Sequence, residues 1–466
     1  MGRFIVMSRS ISIAAYLIVG AFAPAVTIAA PSVYPTGTTI YKPDKAWNGY
    51  TVFVLPETGA VLVDMNGNTV REWEQFAGLG GGPVRILPGG HVVGPTGALQ
   101  PHQESVALGQ YDWENNLVWQ FDRAEQVTTR DGQTIWAARQ HHDWQRPDFP
   151  AGYYSPAADT SNRATRTLIL AHKNVMNEAV SKFMLEDDWL YEVSAEGEIV
   201  WQWLANEHVD ELGFSAEARA VIRDHAQFNT TRGSADWLHI NSATLLGPNK
   251  WHDAGDTRFH PDNVIISSRQ ASFIAIVARD GAIVWRIGPD YLETEATRKL
   301  GQIVGQHHPH LIPKGLPGEG NLLVFDNGGT SGYGFASPVA SEGVDGIRRA
   351  FSRVLEIDPV KVEMVWEYSL QGTDSFRFFS HYVSSAQRLP NGNTLITEGA
   401  DGRLFELTPE NEIVWEYVSP YFGTNQPVNR VYRAYRLPYE WVPQLARPVE
   451  RAVVPPDVKE FRVPAQ

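Results

Sequence analysis

The sequence predicts an all-β chain folded as a six-bladed β-propeller, with loop and helical insertions between and within the blades. Three observations predict it: a Trp-ended hairpin that recurs six times, strand pairs ahead of most of those hairpins, and a C-terminal strand able to close a ring. The hairpins are VLVDMNGNTVREWE (61–74), ALGQYDWENNLVWQF (107–121), LYEVSAEGEIVWQW (190–203), IAIVARDGAIVWRI (274–287), VLEIDPVKVEMVWEY (354–368) and LFELTPENEIVWEY (404–417). Each is a period-2 run, a turn with Gly, Asn or Asp, and a second period-2 run ending near a shared Trp: Trp73, Trp119, Trp201, Trp285, Trp366 or Trp415. Two strands plus a hairpin make a four-stranded sheet. Such a sheet cannot cover both of its faces alone, so six of them must stack around an axis.

Taken in order, residues 1–30 read as a secretory signal. Arg3 and Arg9 precede the apolar run ISIAAYLIVGAFAPAVTIAA, which ends in small residues. The propeller is expected over 31–445 and a Pro-rich tail over 446–466. The first blade lacks its opening strands, and NRVYRAYRLPYEW (429–441) is the candidate to pair into it. VRILPGGHVVGP (84–95) begins the second blade. HHD (141–143) opens the third, LHIN (238–241) with VIISSRQ the fourth, GQHHPH (305–310) the fifth and FSHY (379–382) the sixth. Between them FSAEARAVIRDHAQ (214–227) reads as a helix and DNGGTSGYGFASPVASEGVDG (326–346) as a loop.

Composition narrows the chemistry. The 466 residues carry 39 Lys+Arg against 53 Asp+Glu, which argues against nucleic acid and anionic membranes as partners. No cysteine is present, so disulfides, thiol catalysis and zinc–thiolate sites are excluded. Once the signal is removed, no other stretch is apolar enough to span a bilayer.

The histidines gather where inner strands open onto the central channel. His141 and His142, His239, His307 and His308, and His381 come from four different blades, and Asn241 and Arg269 accompany His239. His239 and Asn241, two apart, are expected on one strand face, and His307 and His308 on opposite faces. A metal centre built on His308 and His310 with His142 or His239 would leave Arg269 and Asn241 without a role, so no metal is expected. Imidazoles, one Arg and one Asn suit instead a sulfate or phosphate group on which charge grows during transfer, with a histidine as nucleophile. The aromatic segments GYGF (332–335) and AGYYSP (151–156) could stack a phenol or pack blades.

HHD, LHIN followed by SSR, and GQH before a Leu/Ile-Pro turn and FDNG resemble the bacterial aryl-sulfate sulfotransferases over roughly residues 50 to 440. The resemblance implies an exported, periplasmic enzyme without a nucleotide donor or other cofactor. It moves a sulfuryl group from an aryl sulfate to a phenol through a sulfohistidine, in a ping-pong cycle. By motif, it implies His307 as nucleophile, with His239, Arg269 and a histidine of HHD, His142 in preference to His141, binding sulfuryl oxygens or moving a proton. Asn241, His141, His308 and His381 are the further substrate-binding candidates. After GQH the family has Asp where this chain has His308, which leaves His307 and His308 to be distinguished. The family's N-terminal strand domain is absent, so its dimer is not carried over. A hydrolase using the same cluster, and a propeller that only binds sulfated ligands, are the alternatives.

Overall fold

The computed structural model describes residues 35–455, apart from 79–81, 98–102, 129–131, 158–165, 227–233, 371 and 425–427. The expected signal (1–30) and the end of the tail lie outside the described residues.

Six antiparallel sheets form six blades. The second blade, for example, runs outward through Arg85–Leu87, His91–Thr96, Ala107–Tyr111 and Leu117–Phe121, and the fourth through Ile240–Leu245, Val264–Ser268, Phe273–Val277 and Ile283–Ile287. The ring closes as expected from the C-terminal segment. Ala434–Leu437 pairs antiparallel with Tyr50–Leu55 and becomes the innermost strand of the first blade. That blade therefore lacks only one opening strand in its own sequence stretch, because Tyr50–Leu55 supplies the second. A second closure holds the outer edge, where Gly37–Tyr41 adds a fifth strand to the sixth blade. Tyr41 in turn exchanges both backbone hydrogen bonds with Val453 of the tail, at 2.8 and 2.9 Å. Both additions cover strand edges that would otherwise be open.

Middle strands are buried on both faces, and their alternation divides between two interfaces. Ile266, Ala275 and Val277 pack toward Leu170 and Leu190 of the third blade, while Ile265, Ile274 and Ile276 pack toward Leu322, Val324 and Leu355 of the fifth. Each such side chain contributes roughly 1.5–3 kcal/mol.

In four of the six blades the recurring Trp ties its blade to the next. Its indole N–H donates to the second turn residue of the following hairpin: Trp119 to Ala195, Trp201 to Arg279, Trp285 to Pro359 and Trp415 to Met65, at 2.8–3.0 Å. In the first blade the equivalent acceptor, the Trp113 carbonyl, is taken by Arg71 instead. This explains why a Trp recurs at the end of a hairpin rather than another large apolar residue: it buries area and also satisfies a carbonyl.

The expected helix is present as Ala216–His225, capped by Ser215. The expected loop at 326–346 is instead largely a β-hairpin, Gly329–Tyr333 paired with Val344–Arg349. Glycines at positive φ at one end of the pairing, and the turn bonds among Ser337, Ala340 and Gly343, let a Gly-rich stretch with weak alternation pair nonetheless.

Candidate active site

The inner strands of the third, fourth and fifth blades share a backbone irregularity at the channel mouth. His142, His239 and His308 adopt φ of 52°, 49° and 53°, the left-handed region; His142 and His308 lie within register breaks of their innermost strand pairings, and His239 immediately precedes a strand whose pairing breaks between Ile240 and Ser242. Non-glycine residues are rarely held there, and three histidines at one level of a ring mark a functional constraint. The kinks overturn the alternation argument. His239 precedes the strand Ile240–Leu245, so its two-residue spacing from Asn241 does not place them together, and His307 and His308 are not simply opposed.

His307 starts the innermost strand of the fifth blade and is held by Asn327. Its Nδ1 lies 2.8 Å from Asn327 Oδ1 and 3.2 Å from the Gly305 carbonyl. The Asn327 amide nitrogen donates to the carbonyls of Ser380 (2.6 Å) and Val383 (2.9 Å), which orients its oxygen as the acceptor. Nδ1 therefore carries the proton and Nε2 the lone pair. The His307 pKa is lowered to about 3, mainly by burial, with Arg269, Arg433 and His239 adding to it against the Asn327 hydrogen bond. An uncharged imidazole with its lone pair on Nε2 is the reactive form of a nitrogen nucleophile.

His308 and His310 lie deeper. Both are 0% exposed, against 4% for His307 and 8% for His239. Their rings are 4.4 Å apart, with His308 edge-on to Tyr435. His310 is committed to the His308 carbonyl (2.9 Å) and the Tyr153 hydroxyl (2.8 Å). Burial, with Arg433 adding to it, keeps His308 far less basic than usual. Below them, Asp143 receives Arg85 at 3.0 Å and Arg433 at 3.1 Å, so this carboxylate is already spoken for by two guanidinium groups.

His239 is backed by Asp236, with Nδ1 2.5 Å from Oδ2, and its ring meets that of His142 at 4.9 Å. Arg269 is fastened beside it. Its backbone N–H donates to the His239 carbonyl (3.1 Å), and its carbonyl accepts from Ser331 of the inserted hairpin (2.7 Å). Arg269 is close enough to His307 and to His381, at the exposed rim, to lower the basicity of both. Asn241 donates to the Gln306 carbonyl (2.8 Å), so the structure gives it a part in positioning the residue before His307. The Gln306 side chain spans back to Ser267 Oγ, Ser268 O and Phe273 O at 2.8–3.2 Å, fixing the fifth blade on the fourth. His141 turns away from the mouth, stacked on His172 and joined to His142 through their Nδ1 atoms at 2.7 Å. Of the aromatic segments, Tyr153 is buried on His310, Tyr154 stacks on Trp47, and the Tyr333 hydroxyl donates to the Trp237 carbonyl. Tyr153 and Tyr154 are thus occupied by packing, whereas Phe335 of the GYGF segment is 78% exposed.

Asn327, Asp236 and Gln306 are residues of the candidate site that motif reading passed over, although each stands inside or beside a quoted stretch (FDNG, LHIN, GQH). Asn327→Ala is expected to lower kcat about 100-fold with KM little changed, because His307 loses its orientation. Steady-state kinetics on a variant with unchanged Tm checks this.

A family model described as arylsulfotransferase (ASST) matches residues 143–430. The chain belongs to the arylsulfotransferase (ASST) family. The matched span includes Asp236, His239, Arg269, His307, Asn327 and His381, and begins immediately after His142. The coarse activity class of the family, sulfuryl transfer between small aryl sulfates and phenols, goes with that membership. No curated protein matches the chain. Solved structures similar to this arylsulfotransferase-family chain include a Bacteroides caccae protein of unknown function (12% identity, 83% of this chain and 98% of that one, TM-score 0.40). A streptogramin B lyase (11%, 86% and 93%, 0.33) and a Staphylococcus aureus virginiamycin B lyase with quinupristin (9%, 83% and 89%, 0.32) are further examples. At these scores they carry no argument about function.

Proposed function

We propose that the chain transfers a sulfuryl group from an aryl sulfate ester to a phenol through a sulfated His307, without a nucleotide donor. The observation that carries the reading is the His307–Asn327 pair, which presents an uncharged Nε2 beside Arg269 and the His239–Asp236 pair. In the first half-reaction Nε2 attacks sulfur, the S–O(aryl) bond breaks and the aryloxide leaves. His239, oriented by its hydrogen bond to Asp236, gives the aryloxide a proton. In the second, His239 takes the proton of the incoming phenol, whose oxygen attacks the sulfur and releases His307. Arg269 holds the non-bridging oxygens, on which charge is greatest in transfer, and His381 and His142 border the same group. The aryl groups of donor and acceptor are small-molecule partners bound at the rim.

The working place proposed is the periplasm or the outside of the cell, from the basic, apolar and small-residue order of residues 1–30. Among the described residues no helix is long and apolar enough to cross a membrane.

The test is release of nitrophenol from nitrophenyl sulfate by the purified mature chain, with and without added phenol. Release that requires phenol is the expected result. Equal release in water alone would make the enzyme a hydrolase, and no release under either condition would remove aryl sulfates as donors.

A further inference from the structure

Below the mouth, one buried carboxylate meets two buried guanidinium groups. Arg85 comes from the innermost strand of the second blade, and Arg433 stands just before the closing strand Ala434–Leu437. Both reach Asp143, and among the described residues neither pairs with a second carboxylate. Asp143 is already saturated, since its Oδ2 also accepts from Ser242 Oγ (3.2 Å) and from the Ala243 amide (3.3 Å). Other buried arginines of the inner strands are matched one to one, Arg436 by Glu406 and Arg388 by Glu356. A buried charge in excess of its partners costs stability unless a counter-ion meets it.

The excess lies on one edge of Arg433. Its Nη1 donates to Asp143 Oδ2 (3.1 Å) and to the Tyr435 hydroxyl (3.3 Å). Its Nε and Nη2 are buried and have no hydrogen-bond acceptor among the described residues. Those two atoms form a single edge of the guanidinium, whose parallel N–H groups match two oxygens of one carboxylate, phosphate or sulfate. Arg85 differs. Its Nη1 and Nη2 are taken by the Trp144 carbonyl and Asp143, and its Nε faces Gly152, where a Cβ would fall 2.4 Å away.

Arg433 stands among the residues that carry the transfer site. Its Cζ lies 5.4 Å from the centre of the Tyr432 ring, which meets the His142 ring at 6.2 Å. The Tyr432 hydroxyl donates to the Asn241 carbonyl (3.3 Å), and the Asn241 amide to the Gln306 carbonyl, next to His307. The charge of Arg433 is also felt by His307, His308 and His310, all of which it makes less basic. We propose that the Nε–Nη2 edge of Arg433 is a second oxyanion site, which takes two oxygens of a sulfate group from the channel side while Arg269 holds the group from the rim. The ligand chemistry is a tetrahedral sulfur oxyanion, either the sulfuryl group of the donor or free sulfate. Its assignment to the donor rests on the proposed transfer reaction. The closing strand then does more than latch the ring, because it delivers a binding residue that the other blades do not supply.

Calorimetric titration of the purified chain with inorganic sulfate, without donor or acceptor, reads the site directly. One equivalent binds, and Arg433→Gln weakens it about 100-fold. Arg433→Lys guards against a folding defect: it keeps a charge toward Asp143 but lacks the two-pronged edge, and it weakens sulfate about 10-fold at unchanged Tm. Turnover of nitrophenyl sulfate by the same variants separates the two sources. A matching fall in kcat/KM assigns the edge to the sulfuryl group of the donor, whereas an unchanged kcat/KM keeps the site and gives it to free sulfate. A parent chain that binds no sulfate, or equal affinity in the parent and both variants, would overturn the site and leave the edge to water. Binding is read without turnover. A chain that holds sulfate through Arg433 yet transfers nothing would therefore contradict the proposed reaction and leave this site standing.

Discussion

His307→Ala is expected to lower aryl sulfate turnover by roughly 10⁴-fold or more, the scale of losing a nucleophile from a cooperating set. The loss should fall on chemistry, because the side chain stands at the mouth, and Asn327 keeps its bonds to Ser380 and Val383 without it. Intact-mass measurement separates this role from a general one. Given donor without acceptor, the parent chain should gain one SO₃ group, and His307→Ala should gain none. An adduct persisting in His307→Ala would move the nucleophile elsewhere, with His308→Ala the next variant to examine. The pH dependence supplies a second readout. Because the folded pKa lies at about 3, protonation removes the lone pair only near that pH. The first half-reaction should therefore keep its nucleophile between pH 7 and 5, where an ordinary histidine would lose about 20- to 30-fold of its neutral form. A fall of that size across the interval would contradict the assignment.

Arg269→Ala should reduce kcat/KM by about 100- to 1,000-fold, or about 3 kcal/mol, the usual cost of one preorganised donor to a developing oxyanion. Arg269→Lys should recover part of it, since the charge returns but the planar fork does not. The substitution also removes a positive charge that depresses His307 and His381. Both imidazoles should therefore titrate at higher pH in Arg269→Ala, which NMR of the histidine rings would detect. A loss below tenfold with unmoved histidines would remove Arg269 from the site.

Much of this was legible in the chain because its signals are local. The Trp-ended hairpin repeats six times, and in four of the blades the Trp makes one and the same contact with the next hairpin, as the bonds from Trp119, Trp201, Trp285 and Trp415 show. The C-terminal strand carries its own alternation, and its partner Tyr50–Leu55 was left edge-open by the first blade. The hairpin at 329–349 escapes the sequence reading, which expects a loop over 326–346, because its glycines and Pro338 mask the pairing. The failure at the site has a different cause. Face assignments drawn from period-2 alternation do not survive left-handed residues at His142, His239 and His308, and nothing in a histidine's neighbours announces that conformation.

The sequence by itself determined the ring of six blades, its closure and the gathering of His142, His239, Arg269, His307 and His381 at one end. Those follow from periodicity, turn chemistry and the order of strands, all short-range properties of the chain. Only the tertiary structure decided which nitrogen of each imidazole is committed: Asn327 to His307, Asp236 to His239, and His142 to His141. Tautomer and basicity depend on partners brought in by folding, on burial and on charges such as Arg433 that arrive from the far end of the sequence. They become fixed only when the ring closes.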